Sequence, residues 1–464
     1  MFVLCVPRVI TEATVSLLWE NGHGSIALLW LFSFIGGPLI AVCGPLLILV
    51  PRNGEPLPRF PYPFGNRETR ETRYGFMFWK FRMGGNRMKK AALLILVILM
   101  LTGCRAAPAS SNIAVPAGKE LPGLTWESGM ALEYATEFSV DYYEGGYALI
   151  EVAGDSRYLA VPEDREVPEG LDGSIQVLQQ PLDTIYLQAT SAMALFDRID
   201  GLDAIRLVGT RKDGWYVENA VTAMEKGDIL FSGSYSQPDY ELMVEEGCDL
   251  AVVSTMILHA PKVREMIEQL GIPVFVEHTS YEKHPLGRTE WVKLYGVLLS
   301  KEQEAETFFQ TQADAIYQFA DMENTGKTVA FFYLTSNGSV NVRASSDYVP
   351  KMIEISGGNY ISVDNEAAES RRSSVSVTME EFYNAAVDAD YLIYNSAIDD
   401  PIYTIDELIA KDSLFADFKA VKSGDVWCTG KYLFQATDIT GDLIVDFHHM
   451  LTGQEDMHFL YQLK

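Results

Sequence analysis

The stretch Lys301–Met322, KEQEAETFFQTQADAIYQFADM, determines how the chain divides into two parts. It contains no Gly or Pro and keeps apolar residues at helical spacing, which predicts one long helix. Asn324-Thr325-Gly326 follows as a helix-stop signal, and a strand-like run begins at Lys327. We therefore expect a linker helix over 301–324 that separates two parts of the chain.

On both sides of this helix, short β-rich runs alternate with segments of helical period. The runs are Ala204–Gly209, Ile229–Phe231, Leu250–Ser254, Pro273–Val276, Val329–Leu334, Val340–Val342 and Tyr391–Tyr394. Such alternation implies parallel sheets covered by helices. The predicted fold is α/β, with two Rossmann-like lobes (125–300 and 325–464) that have central parallel sheets and are joined by one long α-helix. Leu124–Gln188 is less regular and is predicted to be β-rich.

Composition excludes several classes of function. The 464 residues include 36 Lys+Arg and 63 Asp+Glu, for a net charge of −27. So acidic a chain is unsuited to nucleic acid, whose phosphates must be neutralised by Lys and Arg. Five Cys cannot form a disulfide scaffold, and we expect Cys248 and Cys428 to be buried free thiols.

A targeting signal lies well inside the chain. Arg87-Met88-Lys89-Lys90 precedes the apolar run Ala91–Leu101, which is too short to span a bilayer of about 30 Å but suits a signal peptide. Leu101-Thr102-Gly103-Cys104 resembles the lipobox of bacterial lipoproteins, which implies a diacylglycerol on the thiol of Cys104. We expect a signal peptide over 88–104 and a flexible Ala/Pro/Ser-rich tether over 105–124.

Residues 1–87 precede this signal, although a signal peptide works at an N-terminus. Ser25–Val50 is uncharged and long enough to span a membrane. Two interpretations stay open: a transmembrane helix, or translated sequence upstream of a true start at Met88 or Met83. In either case we expect this segment to lie outside the mature fold.

Several runs, in order, resemble substrate-binding proteins of ABC importers, in particular the iron-siderophore, haem and cobalamin class. They are Gln237–Leu242, Gly247–Val253, Leu270–Val274, Leu294–Leu299, Ile355–Tyr360, Asp390–Ile393 and Phe418–Trp427. The resemblance implies a monomeric, lipid-anchored receptor on the extracytoplasmic face of the cell membrane. It implies capture of one iron chelate, or of haem or cobalamin, between the lobes, and delivery without chemistry to a permease with its ATPase.

Ligands of open α/β sheets bind outside the carboxyl ends of the strands. Arg suits carboxylate, catecholate or phosphate oxygens because its planar fork bonds two of them at once. Tyr and Met would supply apolar walls, and a solvated surface loop is the alternative for each residue. The candidate ligand-binding residues are Arg211, Tyr235, Met256, Tyr281, Arg343, Arg371, Arg372 and Tyr432.

The resemblance also implies that one exposed Glu on each lobe docks on the permease. Glu241 matches the first-lobe position and Glu380 the second. Thr378 and Glu381 have the spacing of a capping box, which would occupy Glu381 and leave Glu380 to face outward. Alternatively, both Glu residues simply favour helix N-termini.

Other chemistries find weaker support. The histidines that follow Cys104 include no H-x-x-x-H pair, so a bare-metal site is disfavoured and no resident cofactor is expected; haem ligation by Met256, His259 or a Tyr stays open. We find no G-x-S-x-G nucleophile elbow, and we predict that the protein is not an enzyme. An α/β surface enzyme and a sensory or adhesion lipoprotein are the alternatives from other classes.

Overall fold

The computed structural model describes residues 13–19, 26–32, 119–153, 156–319, 322–363 and 373–464. The chain forms two compact units, Met1–Ala107 and Pro108–Lys464. In the first unit, β1 (Ala13–Trp19) pairs antiparallel with β2 (Ile26–Phe32). Within Ser25–Val50, the structure describes only the strand Ile26–Phe32. None of the helices in the described ranges is long and apolar enough to cross a membrane. Cys104 and the predicted signal peptide lie outside those ranges.

The second unit begins with a sheet of its own, called here the N-terminal sheet. Its strands, in spatial order, are β3 (Trp126–Gly129), β4 (Phe138–Tyr143), β5 (Tyr147–Val152), β6 (Ser156–Val161) and β7 (Ile175–Gln179). Neighbours run antiparallel except β6 and β7. The predicted β-rich segment is thus a distinct sheet within the region assigned to the first lobe.

The first lobe is built on a sheet whose described strands are all parallel. Its strands are β8 (Ile185–Leu187), β9 (Ile205–Val208), β10 (Leu230–Phe231), β13 (Leu250–Ser254) and β14 (Val274–Glu277), in the spatial order β10-β9-β8-β13-β14. A small hairpin of β11 (Gly233–Ser234) and β12 (Gln237–Pro238) extends from β10. The helices are α1 (Thr190–Arg198), α2 (Glu218–Lys226), α3 (Tyr240–Glu245), α4 (Pro261–Gln269) and α5 (Pro285–Leu299).

The linker helix, α6 (Glu302–Tyr317), ends earlier than the predicted 301–324. It is separated from α5 by Ser300, which adopts a left-handed conformation (φ 55°). Glycines allow both lobes to approach α6 closely. A Cβ on Gly296 would lie 2.8 Å from the Cβ of Ala305, and one on Gly441 would lie 2.5 Å from the carbonyl oxygen of Gln312.

The sheet of the second lobe is mixed rather than wholly parallel. Its strands are β15 (Thr328–Leu334), β16 (Val340–Arg343), β17 (Asn359–Tyr360), β18 (Ser374–Val377), β19 (Tyr391–Tyr394), β20 (Val426–Thr429) and β21 (Leu460–Gln462). β17 and β19 pair parallel with β15, β20 pairs parallel with β19, and β16, β18 and β21 run antiparallel to their neighbours. The helices are α7 (Tyr348–Ile355), α8 (Met379–Ala386), α9 (Ile405–Lys411), α10 (Lys419–Ser423) and α11 (Thr440–Thr452).

One hydrophobic core runs through both lobes and includes Trp291 of α5, Phe309 of α6 and Phe447 of α11. A second core fills the outer half of the second lobe around Phe332 and Phe382. Because a shared core resists large rearrangement, the lobes are held close to one arrangement. Cys248 and Cys428 are buried free thiols, which confirms that prediction.

Candidate functional site

Two arginines from different lobes meet on one tyrosine ring. Arg288, on α5 of the first lobe, places its guanidinium carbon 4.0 Å from the ring centroid of Tyr348, the first residue of α7. Arg343, at the end of β16, lies 5.8 Å from the same centroid. With Asp347, these residues form what we call the cross-lobe cluster. Arginines stacked on an aromatic face keep donors available for a further partner.

Buried carboxylates balance the cluster. Asp347 is buried and lies 3.8 Å from the Arg343 guanidinium, and its side chain also accepts the N–H of Val349, 3.1 Å away, as the cap of α7. Burial raises the pKa of the Asp347 carboxyl, and the guanidinium of Arg343 opposes that effect. Asp347 raises the pKa of Arg343 even though burial acts in the other direction. Arg343 therefore stays charged in a half-buried position between the lobes.

Glu277 lies on the first-lobe side of the cluster, at the carboxyl end of β14. It is 2% exposed and accepts hydrogen bonds from the hydroxyls of Ser191 and Thr279. Burial raises the pKa of the Glu277 carboxyl, while the Thr279 hydroxyl and Arg288 act against that effect. Arg288 thus acts through its charge on an acidic group of its own lobe and stacks on Tyr348 of the other.

A cavity of about 300 Å³ opens between strand ends of the two lobes. Its walls include Tyr216 after β9, Ile398 after β19, and Lys431 and Phe434 after β20. Tyr216 and Ile398 are 40% and 65% exposed. Asp399 and Asp400 line the same cavity, and Asp400 pairs with Lys431 at 2.6 Å, so its walls combine apolar and charged groups. A volume of this size lies at the lower end of what small-molecule sites occupy.

Gln435 joins the two lobes beside this cavity. Its amide oxygen accepts the N–H of Tyr216 at 2.8 Å, and its amide nitrogen donates to the carbonyl of Gly214 at 2.7 Å. Gln435 is itself buried, so both bonds are shielded from water. They fix the width of the cleft at this point.

The candidate ligand-binding residues of the first lobe are dispersed. Arg211 is exposed, and its guanidinium carbon lies 4.5 Å from the ring centroid of Phe231. Tyr235 occupies the turn between β11 and β12. Met256 follows β13 and is 45% exposed. Tyr281 lies edge-on to His278, with ring centroids 5.3 Å apart.

In the second lobe, Arg343 is the candidate that joins the cross-lobe cluster. Because β16 runs antiparallel, Arg343 pairs with Ser374 instead of standing at the carboxyl edge of a parallel strand, as the sequence led us to expect. The Tyr432 hydroxyl donates to the carbonyl of Phe459 at 2.5 Å, and its ring lines a separate cavity of about 210 Å³. Arg371 and Arg372 lie outside the described residues.

Sequence reasoning missed Arg288 and Tyr348. Arg288 lies one turn into a helix that begins with a proline directly after the His278–Tyr281 loop. Helices that follow parallel strands begin at the ligand-binding edge of the sheet, so the position of Arg288 in the first turn of α5 could have identified it as a candidate. Tyr348 follows Asp347, whose side chain caps α7, a pattern readable from sequence as a helix start.

The two candidate docking residues are both exposed. Glu241 lies in the first turn of α3, beside a surface groove that Phe231, Pro238 and Tyr240 help to line. Glu380 lies in the first turn of α8, where Thr378 and Glu381 form the predicted capping box. The capping box is confirmed; a docking role for either Glu residue stays a prediction.

Histidine and cysteine side chains form no metal site in the described ranges. No group of three or more His, Cys, Asp or Glu residues that could hold an ion occurs there. His448 is buried with its Nδ1 3.0 Å from the carbonyl oxygen of Ser356, and His284 accepts the N–H of Leu286 as a helix cap. These two histidines have structural partners.

Comparison with known proteins gives relatives in sequence and structure, although no family model matches the chain. Two uncharacterized lipoproteins of Methanocaldococcus jannaschii are 25% and 24% identical to it, over 69% and 72% of this chain and 81% and 87% of their own length.

Among solved structures, a periplasmic heme binding protein from Pseudomonas aeruginosa aligns with a TM-score of 0.48 and 13% identity, covering 61% of this chain and 98% of its own. A possible iron-binding (periplasmic solute-binding) protein from Staphylococcus epidermidis gives 0.46 and 16%, over 59% and 99%. An ABC-type Fe3+-hydroxamate transport system from Saccharomonospora viridis gives 0.45 and 18%, over 59% and 94%.

Proposed function

We propose that the protein is a membrane-anchored extracytoplasmic receptor that captures an iron chelate, or a related large cofactor such as haem or cobalamin, between its lobes. It would deliver this solute to an ABC permease and bind it without chemical change. The observation that carries the proposal is the cross-lobe cluster, in which Arg288 and Arg343 reach one ring from opposite lobes. A ligand held by both guanidinium groups would contact both lobes at once.

The chemistry of the cleft supports an anionic solute with apolar parts. Two arginines offer forked donors that suit carboxylate, hydroxamate or catecholate oxygens. Exposed Tyr216 and Ile398 suit the hydrocarbon or aromatic part of a chelate, and Asp399 and Asp400 of the same cavity would face its hydrogen-bond donors. The order of sequence motifs that resemble substrate-binding proteins supports the same class.

Membrane anchoring is supported by two independent observations. The sequence Leu101-Thr102-Gly103-Cys104 has the form of a lipobox, and both relatives from Methanocaldococcus jannaschii are described as lipoproteins. Delivery to a permease is supported by the exposure of Glu241 and Glu380 on the two lobes. Arginines of a permease would pair with these carboxylates.

The test is a thermal-shift screen of the purified protein against ferric siderophores, haemin, cobalamins and free divalent metals. A ligand at about 1,000 times its Kd adds about 4 kcal/mol to stability and raises the Tm by several degrees. We expect a shift with one chelate or cofactor and none with bare metals. A shift with bare metals alone, or with no member of the panel, would contradict the proposal.

Arginine variants then test the cross-lobe cluster with the ligand that the screen identifies. R288A and R343A should each weaken binding about 10- to 100-fold, the effect of a lost charge-assisted hydrogen bond. R264A is the matched control, because Arg264 lies on α4 and its guanidinium pairs with Glu268 of the same helix at 2.8 Å. Unchanged affinity in both cluster variants would exclude the cluster as the ligand site.

A further inference from the structure

A segment of the N-terminal region packs against the first lobe and the linker helix. Residues 130–137, called here the strap, leave β3 and enter β4 of the N-terminal sheet. Between these strands the strap crosses the start of α5 and touches the linker helix α6. It therefore contacts the elements that determine how the lobes are oriented.

Two buried carboxylates hold the strap by its backbone. Glu290, 0% exposed, accepts the N–H groups of Glu133, Tyr134 and Ala135 at 2.8–2.9 Å. Glu282, 2% exposed, accepts the N–H groups of Thr136 and Glu137, together with the Thr136 hydroxyl, at 2.9–3.0 Å. Hydrogen bonds to a charged acceptor in a dry environment are the strong ones. Each bond therefore ties the strap directly to α5 or to the loop that precedes it.

Contacts at the side chains extend this attachment to α6. The Tyr317 hydroxyl lies 3.2 Å from Glu133 and donates to its carboxylate, and the ring of Tyr134 lies 6.2 Å from Phe309. Lys293 of α5 pairs with Glu290 and with Glu306 of α6, each at 3.1 Å. The strap, α5 and α6 thus form one connected unit.

The opposite side of the start of α5 faces the second lobe. Arg288 lies two residues before Glu290 and stacks on Tyr348 of α7. His284, the cap of α5, stacks on Tyr134 with ring centroids 4.4 Å apart. The same turn of helix therefore carries the strap on one side and an arginine of the cross-lobe cluster on the other.

We propose that Glu282 and Glu290 are positioning residues that bind the strap as a brace. The brace fixes the start of α5, and because Arg288 lies there, it also fixes the spacing of the lobes. Neither carboxylate needs to touch the ligand. The brace would control the spacing of the lobes at the proposed ligand site, and this biological role rests on the proposed function. The motion that the brace restrains can be measured without ligand.

Hydrogen–deuterium exchange of the ligand-free protein tests the brace. In E290Q, we expect amides of the strap, of the start of α5 and of α7 to exchange about tenfold faster. The decisive element is α7 (Tyr348–Ile355), since none of its backbone groups bonds to Glu290 among the described contacts. Helix α8, in the outer core of the second lobe, should keep its protection. The control E306Q alters an exposed partner of Lys293 and should change none of these rates.

E290Q removes a buried charge as well as weakening the brace. A second variant, G287A, disturbs the brace without removing a charge. In G287A the added Cβ would lie 3.0 Å from the carbonyl oxygen of Tyr134 and 3.2 Å from Oε2 of Glu282, so the strap and this carboxylate must shift by a few tenths of an ångström while both charges remain. The same pattern, including faster exchange in α7, is expected. Faster exchange confined to the strap and α5, or loss of protection throughout both lobes, would overturn the proposal. Neither result depends on any solute, so the brace and the receptor function can fail independently.

Discussion

Phe382 is part of the outer core of the second lobe, and we predict how much its replacement by alanine destabilises the protein. Phe382 is 1% exposed on α8, with ring centroids 4.7 Å from Phe332 and 5.7 Å from Phe418. A buried Phe→Ala change costs about 3–5 kcal/mol. The two aromatic pairs, worth about 0.5–1.5 kcal/mol each, are part of this cost and favour the upper half of the range. We therefore expect F382A to lower the free energy of unfolding by about 4–5 kcal/mol.

The assay is urea unfolding followed by near-ultraviolet circular dichroism, with two comparison variants. F382L keeps most of the buried volume and should cost about 1–1.5 kcal/mol. E380A changes an exposed residue of the same helix and should stay within about 0.5 kcal/mol of the original protein. A loss below about 2 kcal/mol in F382A, or equal losses in F382A and F382L, would refute the view that ring packing anchors α8 and with it Glu380.

Three further predictions concern single side chains. Burial, and then Lys351, lowers the pKa of His284 from 6.5 to about 4. As the pH drops from 6.5 toward 4, the unfolded chain binds this proton before the folded protein does, so the free energy of unfolding should fall. Urea unfolding at pH 6.5 and pH 4 should show this decrease, and the decrease should be smaller in H284N. D390N should lower the free energy of unfolding by about 0.5–1.5 kcal/mol in the same assay, because the neutral amide is a weaker acceptor for the backbone N–H and hydroxyl of Thr328, which donate to Asp390 at 2.9 and 3.1 Å. Burial raises the pKa of Cys248 to about 12, so peptide mapping after brief treatment with a thiol reagent should find Cys248 unmodified unless the protein is first unfolded.

Local patterns were enough to predict the elements of the fold. The apolar spacing of 301–322 predicts α6, and Thr378 with Glu381 predicts the capped start of α8. The sequence places the start of the linker helix at residue 301, and α6 begins at Glu302, after the break at Ser300. The break arises from packing, since the close contact of Gly296 with Ala305 requires the chain to reverse there.

The candidate site was harder to predict because it depends on contacts between distant segments. Nothing local distinguishes Arg288 from a solvated arginine until α7 places Tyr348 against it. Glu282 and Glu290 likewise resemble surface residues in sequence, and their burial depends on a strap about 150 residues earlier in the chain. The reversed direction of β16 also followed from sheet pairing rather than from any residue of that strand.

The close approach of both lobes to α6 constrains how this protein can change over evolution. Gly296 of α5 lets Ala305 of α6 pack closely, and Gly441 of α11 lets the backbone of α6 at Gln312 do the same. Inserting or deleting one residue between these two contacts would rotate the second contact by about 100° relative to the first. Homologous chains should therefore vary in loop length around both lobes but keep the length of α6 between its two glycine contacts unchanged.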